Sequence, residues 1–209
     1  MIDSRSICFY PLLLLLPRPA APLNNWERLR VYARDQLTVE VHVGRSARSN
    51  KTYDEYKKWC QSRGLSNAEY VRRHIHWDER TGLGFEPNLA PLHFPEEPEE
   101  PAGGAIIQYV LWHRSVPGDT VLDMAEELEL VHIILGIDVK GSDRLTSGQD
   151  VIIFQNDARI RSVPEIAHAH VFFRVAMLSK RLREALSERR RRWLARSPYL
   201  TEWAKRSSL

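Results

Sequence analysis

Two histidines one residue apart, His168 and His170, close the stretch of this chain that is densest in chemistry, residues 151–174, reading VIIFQNDARIRSVPEIAHAHVFFR. If residues 167–174 form a strand, its period of two puts both imidazoles on one face, with Ala167, Ala169 and Val171 on the other. Neutral imidazoles can take protons near pH 7, ligate a metal, or pack as a hydrogen-bonded pair. No third ligand stands at a metal-binding spacing, so no metal is expected, and a packed pair is the structural alternative to a reactive one. Gln155, Asn156 and Asp157 follow the apolar run 151–154, where an apolar edge gives way to hydrogen-bonding groups. Ser162 precedes Val163-Pro164-Glu165, a combination that reads as a helix or turn start with Ser162 as cap.

These residues need a frame. The run at 151–154 is β-branched and aromatic, as a strand requires, and residues 105–113 (AIIQYVLWH) are dense enough in apolar side chains to be a central strand. Helical spacing is clear at 52–77, where Tyr53, Tyr56, Trp59 and Cys60 repeat at three and four. Gly64 is placed to end that helix, and Ser66 with Glu69 has the spacing of a capping box for the next. Residues 122–135 place Met124, Leu128, Val131 and Leu135 on one face, Gly136 ends that helix, and residues 137–139 read as a short strand. Residues 83–104 read as loop, because Pro87, Pro91, Pro95, Pro98 and Pro101 oppose regular ladders, and the acids at 96–100 read as solvated. The expected fold class is α+β: a small, mostly antiparallel sheet from 105–113, 151–155 and 167–174, helices packed on it, and a long basic C-terminal helix over 176–196.

A chain of 209 residues, 43% hydrophobic and 27% charged, is globular material for one domain. The expected division is an N-terminal extension over 1–40, partly disordered, and a single α+β domain over 41–209. The apolar run 7–16 is too short to span a bilayer, and Asp3, Pro11 and Pro17 argue against a cleaved signal. Asn24-Asn25 reads as the cap of a short helix from Trp26 to about Gln36. Two cysteines, Cys8 and Cys60, form no disulfide framework, which suits a reducing, cytoplasmic setting with no membrane partner. There is no glycine-rich phosphate loop, no cysteine-rich site and no nucleophile elbow, so no cofactor is expected. The net charge of +3 hides a basic tail. Arg189, Arg190, Arg191 and Arg192 beside Trp193 could follow a phosphate backbone, or simply complement the helix's carboxyl-end dipole.

Taken in order, several stretches resemble a fungal family known as N-acetylglucosamine-induced proteins, which includes arginine-containing cyclodipeptide synthases. They are His42-Val43-Gly44-Arg45-Ser46, the helical pair at 53–77, Tyr109-Val110-Leu111-Trp112, Phe154-Gln155-Asn156, Ser162-Val163-Pro164 and His168-Ala169-His170-Val171. The resemblance implies condensation of arginyl-tRNA with a second aminoacyl-tRNA to a diketopiperazine. It departs at Leu92, His93, Gln108 and Gln155, where the family commonly has an acidic and aromatic element, a histidine and a lysine. Aminoacyl-tRNA is an activated ester, so the reaction needs positioning, a base for the attacking amine and an oxyanion donor, but no ATP. On that reading His168 or His170 is the base and Asn156 the donor and orienter. Asp157 and Glu165 are candidates for the guanidinium, with Glu126, Glu127 and Glu129 as a second set. Tyr109 and Trp112 line the substrate, the four tail arginines meet tRNA, and Ser162 is a possible nucleophile. The competing reading is a non-enzymatic regulatory or interaction protein whose basic tail contacts its partner.

Overall fold

Two long apolar strands organise the chain. The computed structural model describes residues 25–34, 36, 47–89, 106–138, 141 and 143–207. Strand β2 (Ile106–Pro117) pairs antiparallel with β4 (Ile166–Arg174), matching Val110 to His170 and Trp112 to His168 before a register shift ahead of Pro117. β1 (Leu83–Pro87) pairs with the outer side of β2, and β3 (Val151–Phe154) with the outer side of β4. The result is a four-stranded antiparallel sheet in the order β1-β2-β4-β3, an α+β fold.

Alternation along the strands gives the sheet two faces with different coverings. One carries Leu111, Val171 and Phe173, all with no exposed surface, against α4 (Met124–Leu135) and α5 (Lys180–Arg196) through Val131, Leu182 and Leu186. Burial of such side chains contributes about 1.5–3 kcal/mol each. The other carries Val110, Trp112, His168, His170 and Phe172. There α1 (Asn25–Arg34) covers the β3 end, with Trp26, Leu29 and Tyr32 on Phe154 and Phe172. α3 (Asn67–His74) covers the β2 end through Ala68 and Val71. α2 (Ala47–Gln61) and α6 (Pro198–Ser207) join that layer through Tyr56, Trp59, Tyr70 and Tyr199.

Local signals set several boundaries as expected. Ser66 caps α3 and Glu69 returns the bond to the Ser66 N–H, a complete capping box. Gly64 and Gly136 adopt φ of 65° and 64°, the left-handed conformation that glycine reaches without strain. Asp123 caps α4 and Ser179 caps α5, two caps that the sequence reading does not single out.

Other expectations are corrected. Residues 83–87 are strand rather than loop: Pro87 sits at the end of an edge strand, where a missing N–H costs no ladder bond. Ile137 and Asp138 are irregular rather than strand. Of the two alternatives for 162–165 the segment takes the turn, and Asp157 caps a 3-10 turn at Ala158–Ile160 by accepting from Arg159 N. The basic helix begins at Lys180, after a 3-10 turn, and Pro198 opens a further helix that the sequence reading lacks. Residues 25–34 pack on the sheet, where Leu29 is 1% exposed, and Gln36 bonds the backbone of Gln155 and Asp157. The apolar run 7–16, the stretch 42–46, Leu92, His93 and the acids at 96–100 lie outside the described residues.

Backbone contact at Gly118 holds the β3–β4 connection in place. A Cβ there would run into the Pro164 carbonyl, and the Arg161 guanidinium donates to the Gly118 oxygen and to the Asn156 oxygen. Gly118→Ala should therefore destabilise the protein by roughly 1–3 kcal/mol through overpacking of unyielding backbone. Thermal unfolding checks it, and an unchanged midpoint would refute the contact.

Candidate functional site

β4 brings His168 and His170 to the same face, as their parity requires, with ring centroids 5.5 Å apart. Their surroundings differ. His170 is gripped at both nitrogens: the Gln108 amide lies 2.9 Å from Nδ1 and the Asn156 amide 2.9 Å from Nε2. A neutral ring has one N–H and one lone pair, so one of the two amides must turn its oxygen to the ring. Gln108 comes from β2, and Asn156 follows β3 by two residues, so three strands converge on this imidazole. Oδ1 of Asn156 is buried without a hydrogen-bond partner among the described residues.

His168 is held at one nitrogen. Its Nδ1–H donates to the Ile166 carbonyl at 2.8 Å, which assigns the lone pair to Nε2. Trp112 lies across it with ring centroids 4.5 Å apart. Burial, reinforced by the positive Arg161 and by His113, pulls its pKa down to about 4 against the opposing effect of the Ile166 carbonyl. The ring is therefore neutral at pH 7, and Nε2 is the nitrogen left to accept a proton.

Both histidines line a cavity of about 100 Å³ between the sheet and the α2–α3 layer. Trp112 and Val110 form its floor with them, Tyr53, Tyr56 and Tyr70 come from the helices, and Trp193 reaches in from α5. Ser162 also lines it and is exposed, which puts its hydroxyl within reach of solvent and of an occupant. The arrangement offers a neutral imidazole acceptor, a second imidazole fixed by amides, and an apolar, aromatic wall.

The remaining candidates are placed elsewhere. Tyr109 is on the opposite face of β2, stacked on Phe85 at 4.9 Å, with its hydroxyl donating to the Leu186 carbonyl at 2.6 Å. Burial pushes its pKa up to about 12, and it packs in the core on the side of the sheet away from the cavity. The Asp157 carboxylate accepts from Arg159, which with the Arg159 N–H holds its pKa below the ordinary value, and it lines no part of the cavity. Glu165 is exposed in its turn and is also absent from the wall. Glu126 and Glu129 are at least partly exposed, and Glu127 is buried against His113 Nε2 at 2.9 Å. Gln155 clamps the loop before α4, donating to the Thr120 carbonyl and accepting from Leu122 N.

Of the four tail arginines, Arg189 is not a free cation. It is half-buried and donates to the carbonyls of Ile134 at 2.9 Å and Phe85 at 3.5 Å. Arg190, Arg191 and Arg192 are exposed, the last two sharing Glu188 at 2.6 and 2.7 Å. Sequence reasoning did not assign the tyrosines at 53, 56 and 70 to a site, because their helical spacing reads equally well as core. Glu86 was also missed: it is 4% exposed, accepts from His76 N and Arg196, and has its pKa raised by burial.

Among known proteins, no family model matches this chain, and neither does any curated protein. A solved structure does match in fold: the crystal structure of HTC1 superposes with a TM-score of 0.50 at 20% identity, covering 78% of this chain and 93% of that one. The likeness is one of fold alone. Among the described residues no helix is long and apolar enough to cross a membrane.

The His168 environment has a stability consequence. Unfolded, its pKa is about 6.5; folded, it is pulled down to about 4, so between these values the unfolded chain binds the extra proton. Stability from this group is full above pH 6.5 and is lost as pH falls toward 4, by about 3 kcal/mol. The His168→Gln variant should lose less stability than the parent between pH 7 and 4.5 in denaturant titrations. Identical pH slopes would show that the ring titrates as it does in water.

Proposed function

We propose that this chain is a tRNA-dependent aminoacyltransferase of the arginine-containing cyclodipeptide synthase kind, joining arginyl-tRNA to a second aminoacyl-tRNA. The single observation that carries the reading is His168, a neutral imidazole locked in one tautomer with an unoccupied Nε2 on the wall of a cavity. The family resemblance supplies the substrates, and the site supplies a base suited to aminolysis.

In this reaction the α-amine of one aminoacyl group attacks the ester carbonyl of the other. The nitrogen becomes positively charged in the tetrahedral adduct and is then far more acidic than a free ammonium, so a weakly basic imidazole can take its proton at Nε2. The same proton passes to the departing 3′ oxygen of the tRNA as the C–O bond breaks and the amide forms. A second aminolysis by the remaining amine closes the ring and frees the second tRNA. His170 does not need to exchange protons: held by Gln108 and Asn156, it serves as a fixed neighbour that orients its partner. No acyl-enzyme is required, although the Ser162 hydroxyl on the cavity wall is of the chemical kind that forms one.

His168→Ala should lower cyclic dipeptide formation at least a hundredfold with the fold retained, whereas Tyr109→Phe should cost stability of about 1 kcal/mol and leave turnover per folded molecule unchanged. Mass spectrometry of product and thermal unfolding on one preparation separate these effects. Turnover unchanged in His168→Ala would end the base assignment.

Exposed cations on α5 support a contact with the tRNA backbone, restricted to Arg190, Arg191 and Arg192 since Arg189 is engaged by carbonyls. Replacing these three by Gln should weaken tRNA binding by about a hundredfold at moderate salt, at about 1 kcal/mol per contact, and flatten the dependence on salt. Equal affinities and slopes, together with no product from any aminoacyl-tRNA pool, would favour the interaction-protein reading.

A further inference from the structure

The cavity beside His168 has walls that discriminate among occupants. Val71, Ile75, Leu89, Val110 and Val163 line it with Trp112, and among the described residues that line it none is an aspartate, glutamate, lysine or arginine. A guanidinium or ammonium drawn into it would lose its water without meeting a counter-charge on any of these described residues, a costly transfer. The tyrosine rings do not supply an open cation-binding box either. Tyr56 is engaged edge-to-face by Tyr70 at 5.0 Å and by Tyr199 at 5.6 Å, and the Lys57 ammonium already sits over Tyr53. Size narrows the choice further. An apolar cavity of about 150 Å³ accommodates benzene, and this one, at about 100 Å³, suits a group no larger than a branched aliphatic side chain.

We propose that this cavity is the side-chain pocket for the second aminoacyl group and selects an aliphatic side chain over a charged or an indole-sized one. The proposal rests on the aminoacyl-transfer reading above, and it implies that the guanidinium of the first substrate is held outside this cavity. An aliphatic side chain lodged on Val110 and Val163 would bring its own α-amine and ester to the histidine side of the pocket, where Nε2 of His168 is free. One missing or extra methylene in such a pocket changes selectivity by roughly 10–200-fold.

Two half-buried wall residues at the margin of the core allow the test: Leu89, beyond the end of β1, and Ile75, just after α3. Binding of N-acetyl-leucinamide, N-acetyl-argininamide and N-acetyl-tryptophanamide to the full chain is measured by calorimetry. The leucine amide should bind at least tenfold tighter than the other two. Leu89→Trp, which fills the space, should abolish that preference, and Ile75→Ala, which enlarges it, should shift preference toward the tryptophan amide by about tenfold. The arginine amide binding as tightly as the leucine amide, or neither variant altering selectivity, would overturn the proposal. Products from mixed aminoacyl-tRNA pools are scored in parallel. Leucine-amide selectivity that follows the variants without any cyclic product would uphold the pocket's choice of side chain while retiring the aminoacyl-transfer reading.

Discussion

The pairing of β2 with β4 is the constraint from which the rest of the structure follows. Nearly every described element packs on one of these strands or on a strand bonded to them, and their shared register decides which side chains meet. Because Val110 faces His170 and Trp112 faces His168, the imidazoles lie against an apolar and an aromatic neighbour on a face that helices then close. A slip of one residue would send both histidines into the α4–α5 core and bring Ala167 and Ala169 to the cavity. The opposite face resists that slip, since Leu111, Val171 and Phe173 are completely buried there.

Burying two histidines on a sheet face imposes a polar demand that the structure meets unequally. At His170 both nitrogens are answered by amides, one from β2 and one from the segment just after β3. At His168 only one is answered among the described residues, by a carbonyl two residues earlier on its own strand. This asymmetry separates a fixed ring from one with a vacant acceptor, although the two residues are alike in sequence context. Low polarity around His168 keeps it neutral, which weakens it as a base in the resting protein but keeps it unprotonated at every pH near 7.

The same accounting explains why the charged residues do not converge on the cavity. Asp157 serves a turn, Glu127 is occupied by His113, Glu86 by His76 N–H and Arg196, and Arg189 by two carbonyls. Each neutralises or satisfies a local group, and among the described residues the space beside the histidines is left to uncharged side chains. The cavity's chemistry is therefore set as much by where the ions are retained as by what lines it.

Much of this was decided within short stretches of chain. Ser66 and Glu69 cap α3 because a side chain and backbone three residues apart can satisfy each other without outside help. Gly64 and Gly136 end helices for equally local reasons. The shared face of His168 and His170 follows from strand parity alone, and parity also separates Tyr109 from Trp112, since residues three apart on a strand point opposite ways. Tertiary structure decided the rest. Leu83 to Pro87 becomes a strand only because β2 offers it an edge, a partner more than twenty residues away that no local propensity reveals. The difference between His168 and His170 depends on Gln108 and Asn156 arriving from two other strands. The cavity needs Tyr53, Tyr70 and Trp193 from three helices. Periodicity determines which way a side chain points from its own backbone; what it meets there depends on contacts between distant parts of the chain, and these exist only once the sheet and its helices have packed.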